Sequence, residues 1–468
     1  MEMRFIETTF VNGERQTEEK RLPFVPDKGE ENQLINLYPQ MQYQELEGFG
    51  GALTDSTGYI FGQMGVEQQE YMLNQYFGED DMGYRIVRIP IDSCDFSLEH
   101  YEALTDPKDT ELERLDFTRM KKYIVPLLEE VQKYTKERLQ IMLSPWSPPA
   151  FMKTNGDRNH GGKLKDAYKE LWARYICRYI QEFRDMGYLV NRLSIQNEPK
   201  AVQTWDSCIY SGKEEKEFIR DYMWPALVKY GLADVEIFIW DHNKERVFER
   251  VLEIIDEGTD PMIAGIAFHW YSGDHFEALQ MIQEKFPDKK LILSEACIEY
   301  SKYSQDDYLA NAQKYAHDMI GNLNHGMSAF YDWNVVLDQQ GGPNHVGNYC
   351  DAPFLFDVNT KELIERNTAA YIWHFSHFIK SGAKRIGHSR YTDKLEVTAF
   401  LNPDQTVTVV ILNRTDNCIP AYVRIGDESA FVSIQANSIA TGVLLSKRFS
   451  INYQHLFLSA ASAISFVW

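Results

Sequence analysis

Paired cysteines, long apolar runs and surplus positive charge are all scarce in this chain of 468 residues, and each shortage closes off a class of function. Six cysteines (Cys94, Cys177, Cys208, Cys297, Cys350 and Cys418) are scattered, with no close pair at zinc or redox spacing. They read as reduced, mostly buried thiols, which suits a cytoplasm. Met1 to Phe10 carry two glutamates and no apolar stretch of the kind a secretory signal needs. No internal run is long and apolar enough to span a bilayer. The expectation is a cytoplasmic protein with no integral membrane segment, export by a route that needs no such signal being left open. Lys and Arg number 48 against 69 Asp and Glu, a formal charge of −21, which argues against nucleic acid or an anionic membrane as partner. A neutral substrate would not be repelled. No Gly-x-Gly-x-x-Gly follows the first strand-like run, which removes the dinucleotide-binding fold.

What is present has the texture of repeated β-α units. Residues 1–43 are polar, with short alternating pieces such as Arg4-Phe5-Ile6-Glu7, and read as N-terminal strands pairing into a β-domain. From there eight apolar runs alternate with helical patterns such as Phe117 to Tyr134 and Asp166 to Met186. The runs fall at 44–54, 84–93, 139–148, 192–199, 235–243, 263–271, 290–297 and 327–336. Eight strands separated by helices close into a (β/α)8 TIM barrel, expected over residues 44–382 with Tyr371 to Ile379 as its closing helix. From about Arg385 the period switches to two, as in Leu395 to Leu401 and Thr406 to Leu412, so a small all-β sandwich is expected over 383–446. The apolar stretch 447–468 breaks that alternation and reads as a tail.

The stretch that carries chemistry is Leu193-Ser194-Ile195-Gln196-Asn197-Glu198-Pro199, in which Pro199 stops a buried strand directly after an acid. Lys290 to Cys297 has the same design: an apolar run, a small residue, then Glu295. Two glutamates at strand ends, roughly 5 to 5.5 Å apart, are what a configuration-retaining glycosidase needs, one as acid/base and one as nucleophile. Glu198 is assigned the acid, kept protonated by a pocket of Trp and Tyr rings. Glu295 is assigned the nucleophile, with Arg88 and the Tyr271 hydroxyl as its hydrogen-bond partners. Asn197 is placed for the sugar 2-hydroxyl, Asp95 and Trp146 for hydroxyls farther round the ring, and Trp333 for stacking beneath it. The fifth run ends at Trp240, Asp241 and His242, and the sixth at His269, which is read as orienting a neighbour rather than binding a metal. Aromatics make up 13% of the chain, leaving rings free for sugar faces. Cys94 and Cys297 flank the site and read as buried small residues. His374 and His377 read as a structural pair on an outer helix. Asn413-Arg414-Thr415 fits a glycosylation sequon, which means little without a secretion signal.

At these residues the chain resembles glycoside hydrolase family 30, in the branch that contains the glucosylceramidases. The matching stretches run in order from Gly48-Phe49-Gly50-Gly51-Ala52-Leu53-Thr54-Asp55 through Ser93 to Ser97, Ser144 to Pro149, Lys153 to Gly156 and Gln196 to Pro199. They continue through His269-Trp270-Tyr271, Ser294 to Cys297, Asp332-Trp333-Asn334 and Gly341 to Asn344. Any one is weak, but the ordered set is specific and covers most of residues 44–446. The resemblance implies a barrel with an attached sandwich and a double-displacement mechanism with Glu198 as acid/base and Glu295 as nucleophile. It implies sugar-binding roles for Asp95, Trp146, Asn197, Trp333 and Asn348, with Tyr271 beside the nucleophile. It also implies no metal or organic cofactor. Two departures stand out: the N-terminal segment lacks the paired cysteines of the lysosomal enzyme, and the loops Ala201 to Gly212 and Val335 to His345 only partly follow the pattern. The expected activity is hydrolysis of a terminal β-linked glucose from a β-glycoside or glycolipid. A β-xylosidase, β-fucosidase or endo-β-1,6-glucanase of the same family is the alternative, and a catalytically silent carbohydrate-binding protein is the alternative from another class.

Overall fold

Eight parallel strands close on themselves, and their order round the ring is their order along the chain. They are Gly48–Ala52, Ile86–Ile91, Gln140–Pro145, Leu189–Ser194, Glu236–Asn243, Ile263–His269, Lys290–Glu295 and Met327–Asp332. The protein is described by a computed structural model over residues 2–444, so the apolar tail at 447–468 lies outside the described residues. Each strand is covered by helices outside and packed side chains inside, which is why the sequence shows near-continuous apolar runs rather than alternation. Thr118–Tyr134 shows the outer ring at work, burying Ile124, Leu127, Leu128 and Val131 at helical spacing. The first strand, Gly48–Ala52, pairs with both the second and the eighth and completes the ring. A Cβ at Gly50 would collide with the Ile86 carbonyl, so this seam requires a glycine.

The barrel interior is filled, not hollow. Ile86, Met142, Phe238, Ala267, Ile292 and Ala329 form an apolar cluster within it. At the N-terminal strand ends Arg192, 2% exposed, donates to Tyr331 Oη at 2.8 Å and to Glu47 Oε2 at 2.5 Å. Lys290 pairs with Glu47 and Glu236, each at 2.6 Å, beside it. The opposite, C-terminal end carries a second polar cluster, described below.

Both chain ends build the sandwich, as the polar N-terminal segment suggested. Glu2–Val11 pairs antiparallel with Ser438–Leu444, from Met3 opposite Leu444 to Thr8 opposite Ile439. Leu34–Glu45 lies between Lys384–Arg390 and Ile419–Ile425. Its core takes Met3, Phe5 and Ile35 from the front of the chain and Val397, Val409 and Val423 from the back. Asn413 is fully buried there and donates to the carbonyls of Asn417 and Gln435, so its sequon has a structural use.

The closing helix, Asn367–Ser376, joins the two bodies through His374, which the sequence placed on an outer helix and the structure buries completely. Its Nδ1 lies 2.8 Å from Thr441 Oγ1 and its Nε2 2.8 Å from Thr8 Oγ1, so both chain ends meet on one imidazole. Burial pushes its pKa down to about 3 and keeps it neutral. Removing either hydroxyl leaves a buried ring nitrogen without a partner. Thr441→Val and Thr8→Val should each lower the urea-unfolding free energy by about 1–3 kcal/mol, a loss that surface Thr→Val controls should not show.

Candidate active site

The polar side chains at the C-terminal strand ends are aimed by unusual backbone. Glu198 lies four residues beyond the fourth strand with φ +46°, and Trp240 and Asp241 at the end of the fifth have φ +73° and +48°. A left-handed conformation costs a non-glycine residue of order 1–3 kcal/mol and persists only when its surroundings impose it. Here the Glu198 amide donates to Asp241 O at 2.9 Å, the Asn197 amide to Pro145 O at 2.9 Å, and the Trp240 amide to Glu215 Oε1 at 2.9 Å. Three neighbouring strands are thereby tied together at the point where the acid turns inward.

Arg88, with no exposed surface, sits beneath these ends and uses its whole fork. Nε donates to Ser144 Oγ at 3.0 Å and Nη1 to Glu295 Oε2 at 2.7 Å. Nη2 reaches Asn197 Oδ1 and Asp241 Oδ2, both at 2.9 Å. Its guanidinium carbon lies 4.8 Å from the Trp146 ring centre and 5.5 Å from that of Trp333, and these two rings stack at 5.2 Å. Asp241 also accepts from Ser194 and Ser294, each at 2.5 Å. Burial alone would push its pKa up. Arg88, His269 and the serines outweigh that and hold it well below the usual carboxylate range. Tyr271 Oη completes the shell of Glu295 by donating to Oε1 at 2.9 Å.

Above this layer lies a cavity of about 250 Å³, and Glu198 and Glu295 both line it. Asp95, Trp146, Asn197 and Trp333 line it as well, as do Tyr271 and Asn348. The sequence-predicted binding residues therefore converge on one pocket, with Arg88 and His269 behind its wall. A larger open cavity of about 1090 Å³, bounded by Glu45, Glu47, Lys290 and Arg385, lies at the opposite end of the barrel and holds none of them. Cys297 lines the small cavity, whereas Cys94 does not. Burial pushes both thiols well above their ordinary range, so neither is a nucleophile.

One expectation does not hold. Apolar walls were to keep Glu198 protonated, and burial does push its carboxyl up, but two imidazoles outweigh it and hold the carboxyl well below its usual value. His242 Nδ1 lies 3.3 Å and His269 Nδ1 3.4 Å from Glu198 Oε1. The Gln203 amide donates to Oε2 at 3.3 Å. His269 also faces Asp241 Oδ1 at 3.0 Å through Nε2. Burial opposes its charge, but Glu295, Asp241 and Glu198 together raise its pKa to about 9. The proton of this pair therefore resides on His269, and Glu198 is a carboxylate beside it.

Sequence reasoning missed the roles of His242, Gln203 and Trp205, which enter from the fifth strand end and the loop after the fourth. The run Trp240-Asp241-His242-Asn243 was the available signal. The small residue before each acid also had more meaning than strand termination, since Ser194 and Ser294 both hold Asp241. Glu198, His242 and His269 present donor atoms within 4.8 Å of one another and could in principle ligate a cation. Such an ion would occupy the carboxylate oxygen that already faces the two imidazoles.

Comparison with known proteins gives the same frame. The Glycosyl hydrolase family 30 TIM-barrel domain matches residues 46–379 and the Glycosyl hydrolase family 30 beta sandwich domain residues 382–442. The chain is 30% identical over 412 residues to the lysosomal acid glucosylceramidase of Mus musculus, covering 83% of this chain and 79% of that protein. It resembles the crystal structure of SrfJ from Salmonella typhimurium with a TM-score of 0.91 and 36% identity, over 96% of this chain and 100% of that one. The endo-beta1,6-glucanase BT3312 follows the same fold with a TM-score of 0.84 and 26% identity, over 95% and 100% of the two chains.

Asp95 provides a test of the pocket's electrostatics. Burial and the Glu295 and Glu198 charges push its pKa up to about 8, against the opposing hydrogen bond from Asn348 Nδ2 at 2.9 Å. The unfolded chain ionises this group near its ordinary value of about 3.9. The native state thus binds the extra proton between roughly pH 4 and 8, and its stability falls as pH rises through that window. Asp95→Asn should accordingly melt at a higher temperature than the wild type, with a difference that grows from pH 4 to pH 8. A difference independent of pH would show that Asp95 is not protonated in the folded state.

Proposed function

This chain belongs to glycoside hydrolase family 30 and is a retaining glycoside hydrolase, and we propose that it acts as an exo-β-glucosidase of glucosylceramidase type. The observation that carries this reading is a small cavity with two strand-end glutamates on its wall and different partners behind each. At about 250 Å³ it falls below the ~300–1,000 Å³ usual for small-molecule pockets, the size of one sugar ring rather than a stretch of polymer.

In the proposed reaction a Glu295 carboxylate oxygen attacks the anomeric carbon as the glycosidic C–O bond breaks, leaving a glycosyl ester on Glu295. Arg88 and Tyr271 orient that carboxylate through Oε2 and Oε1. The departing oxygen takes a proton from the Glu198–His269 pair by way of the Glu198 carboxyl. Because the pair holds one proton between carboxylate and imidazole, Glu198 need not itself carry that proton beforehand to deliver it. In the second step Glu198 takes a proton from water, which attacks the anomeric carbon as its bond to the Glu295 oxygen breaks, releasing the sugar with its starting configuration and the Glu295 carboxylate. Asn197 has Oδ1 committed to Arg88, so its amide nitrogen is free to donate to the 2-hydroxyl, where bonds strengthen as the oxocarbenium ion develops. Asp95, as a protonated acid, can donate to a hydroxyl on the far side of the ring, and the Trp146–Trp333 pair offers the apolar face. Similarity to glucosylceramidases supports a glucose with a lipid-like leaving group. Similarity to endo-1,6-glucanases supports a β-1,6-linked glucan as the second reading.

Glu295→Gln should fold normally and lose turnover of every β-glycoside, and 2-fluoro glucoside treatment of the wild type should label the peptide that contains Glu295. Glu198→Gln should lose about 10²–10⁴-fold on substrates with poor leaving groups, while activated aryl glucosides, which need no proton, are largely spared. Equal losses on both would reject the acid role. A panel of nitrophenyl glucosides, xylosides and fucosides, with a β-1,6-glucan alongside, should show the glucoside preferred and the polymer cut only from its end.

A further inference from the structure

Outside the cavity three side chains meet whose chemistry the hydrolysis does not use. One donor atom each of His100, Asp206 and His345 lies within 4.8 Å of those of the other two. None of the three lines the sugar cavity. His345 Nδ1 faces the Ser97 carbonyl at 2.8 Å, and a carbonyl can only accept, so Nδ1 carries the proton and Nε2 is a bare lone pair. That Nε2 is buried and has no hydrogen-bond partner among the described residues. Burial pushes the His345 pKa down, which keeps the ring neutral. Asp206 is divided in the same way. Its Oδ1 accepts from Arg158 Nε at 2.5 Å and Ser93 Oγ at 3.0 Å, while the buried Oδ2 faces an imidazole. His100 Nδ1 pairs with that oxygen at 3.2 Å, which raises the His100 pKa and helps hold the Asp206 carboxyl down, so an ion would take the place of the proton between them. A buried ring nitrogen without a partner among the described residues, set beside this pair, is an expensive arrangement unless something binds it.

We propose that His100, Asp206 and His345 form a site for a divalent transition-metal ion of the zinc class. Two imidazoles and one carboxylate are a usual ligand set for such ions, with water completing the tetrahedron. Ligands ~2.0–2.1 Å from zinc stand about 3.3–3.4 Å apart in a tetrahedron, close to the 3.2 Å already seen between His100 and Asp206. The remaining adjustment falls to His100, the most exposed of the three. The surroundings match as well: the backbone carbonyl on His345 Nδ1 fixes its tautomer, and Arg158 with Ser93 fixes the rotation of the carboxylate. The Arg158 charge, which would repel a cation, is shared with Glu102 at 3.5 Å and Asp92 at 3.8 Å.

Such an ion would cross-link three loops at the pocket mouth. His100 follows the second strand on the segment that carries Asp95. Asp206 lies on the loop that carries Gln203, the Glu198 partner, and the cavity-lining Trp205. His345 lies on the loop that carries Asn348, the Asp95 partner. Asp206 and His345 fall in the two loops that depart from the family pattern, so the site belongs to this chain's own mouth.

The test is a titration of the untagged full chain with ZnCl2, read by calorimetry and thermal melting, with Co²⁺ absorption as the geometric probe. The expected result is one ion per chain, a raised melting temperature and a tetrahedral Co²⁺ spectrum. Binding should be lost in His345→Ala and in His100→Ala, the latter being exposed enough to leave the fold intact, and kept in Glu198→Gln. No binding by the wild type at millimolar ZnCl2 would overturn the proposal. So would an ion that Glu198→Gln abolishes while both loop variants retain it, since that ion would sit at the Glu198–His242–His269 group.

Discussion

The head of the barrel depends on one guanidinium that water does not reach. Arg88 brings a serine, an amide and two carboxylates from four other strands onto a single planar fork. Taking such charges out of water costs several kcal/mol per ion, and only near-complete hydrogen bonding offsets it. The offset is supplied by residues whose spacing along the chain gives no hint of contact: Ser144, Asn197, Asp241 and Glu295. A lysine could meet one carboxylate as a point charge but could not hold an amide and two acids in fixed directions. The left-handed backbone at Glu198, Trp240 and Asp241 belongs to the same design, since those conformations bring the side chains within reach of the fork and its neighbours.

The two cavity glutamates differ in what stands behind them. Glu295 rests on a cation that never releases its proton and on a phenol that burial keeps protonated. Glu198 rests on two imidazoles, of which His269 is held protonated by the carboxylates around it and can pass its proton on. Two identical side chains are thereby given unequal tasks by their partners: one is offered a permanent counter-charge, the other a proton reservoir. That division of environments is the general way a pair of carboxylates becomes a nucleophile and an acid/base.

Strand ends were legible in the sequence because burial on both faces leaves uninterrupted apolar runs, and a polar residue or a proline marks where each stops. The eight runs and the positions of Glu198, Glu295, Asp95 and Trp333 follow from that one regularity. The charge state of Glu198 did not follow. Its surroundings depend on His242 and His269, one and two strands away round the ring, and no local pattern reveals that both imidazoles point at the same oxygen. Ser194 and Ser294 show the same limit, since each reads as a small residue at a strand end and turns out to hold Asp241. His374 is the clearest case. It reads as one of a structural pair on an outer helix, yet it lies between Thr8 and Thr441, residues that no local reading of the chain would bring together.

The contrast between floor and mouth explains why the sugar is easier to infer than the leaving group. On the floor, strand ends fix the side chains, and the oxygens of Asp241, Glu295 and Asn197 are engaged by other protein groups. A ring that fits must meet that fixed array. At the mouth the contacts come from loops after the second, fourth and eighth strands, and a loop position is set less firmly than a strand. There Asp206 Oδ2 meets a half-exposed His100, and His345 Nε2 is left without a hydrogen-bond partner among the described residues. Two links run inward from those loops, Gln203 to Glu198 and Asn348 to Asp95, so loop placement bears on both of these cavity-lining carboxyls. In the proposed reaction, whatever fixes the loops relative to one another therefore governs which leaving group fits and how its proton is delivered, with no change needed in the barrel strands.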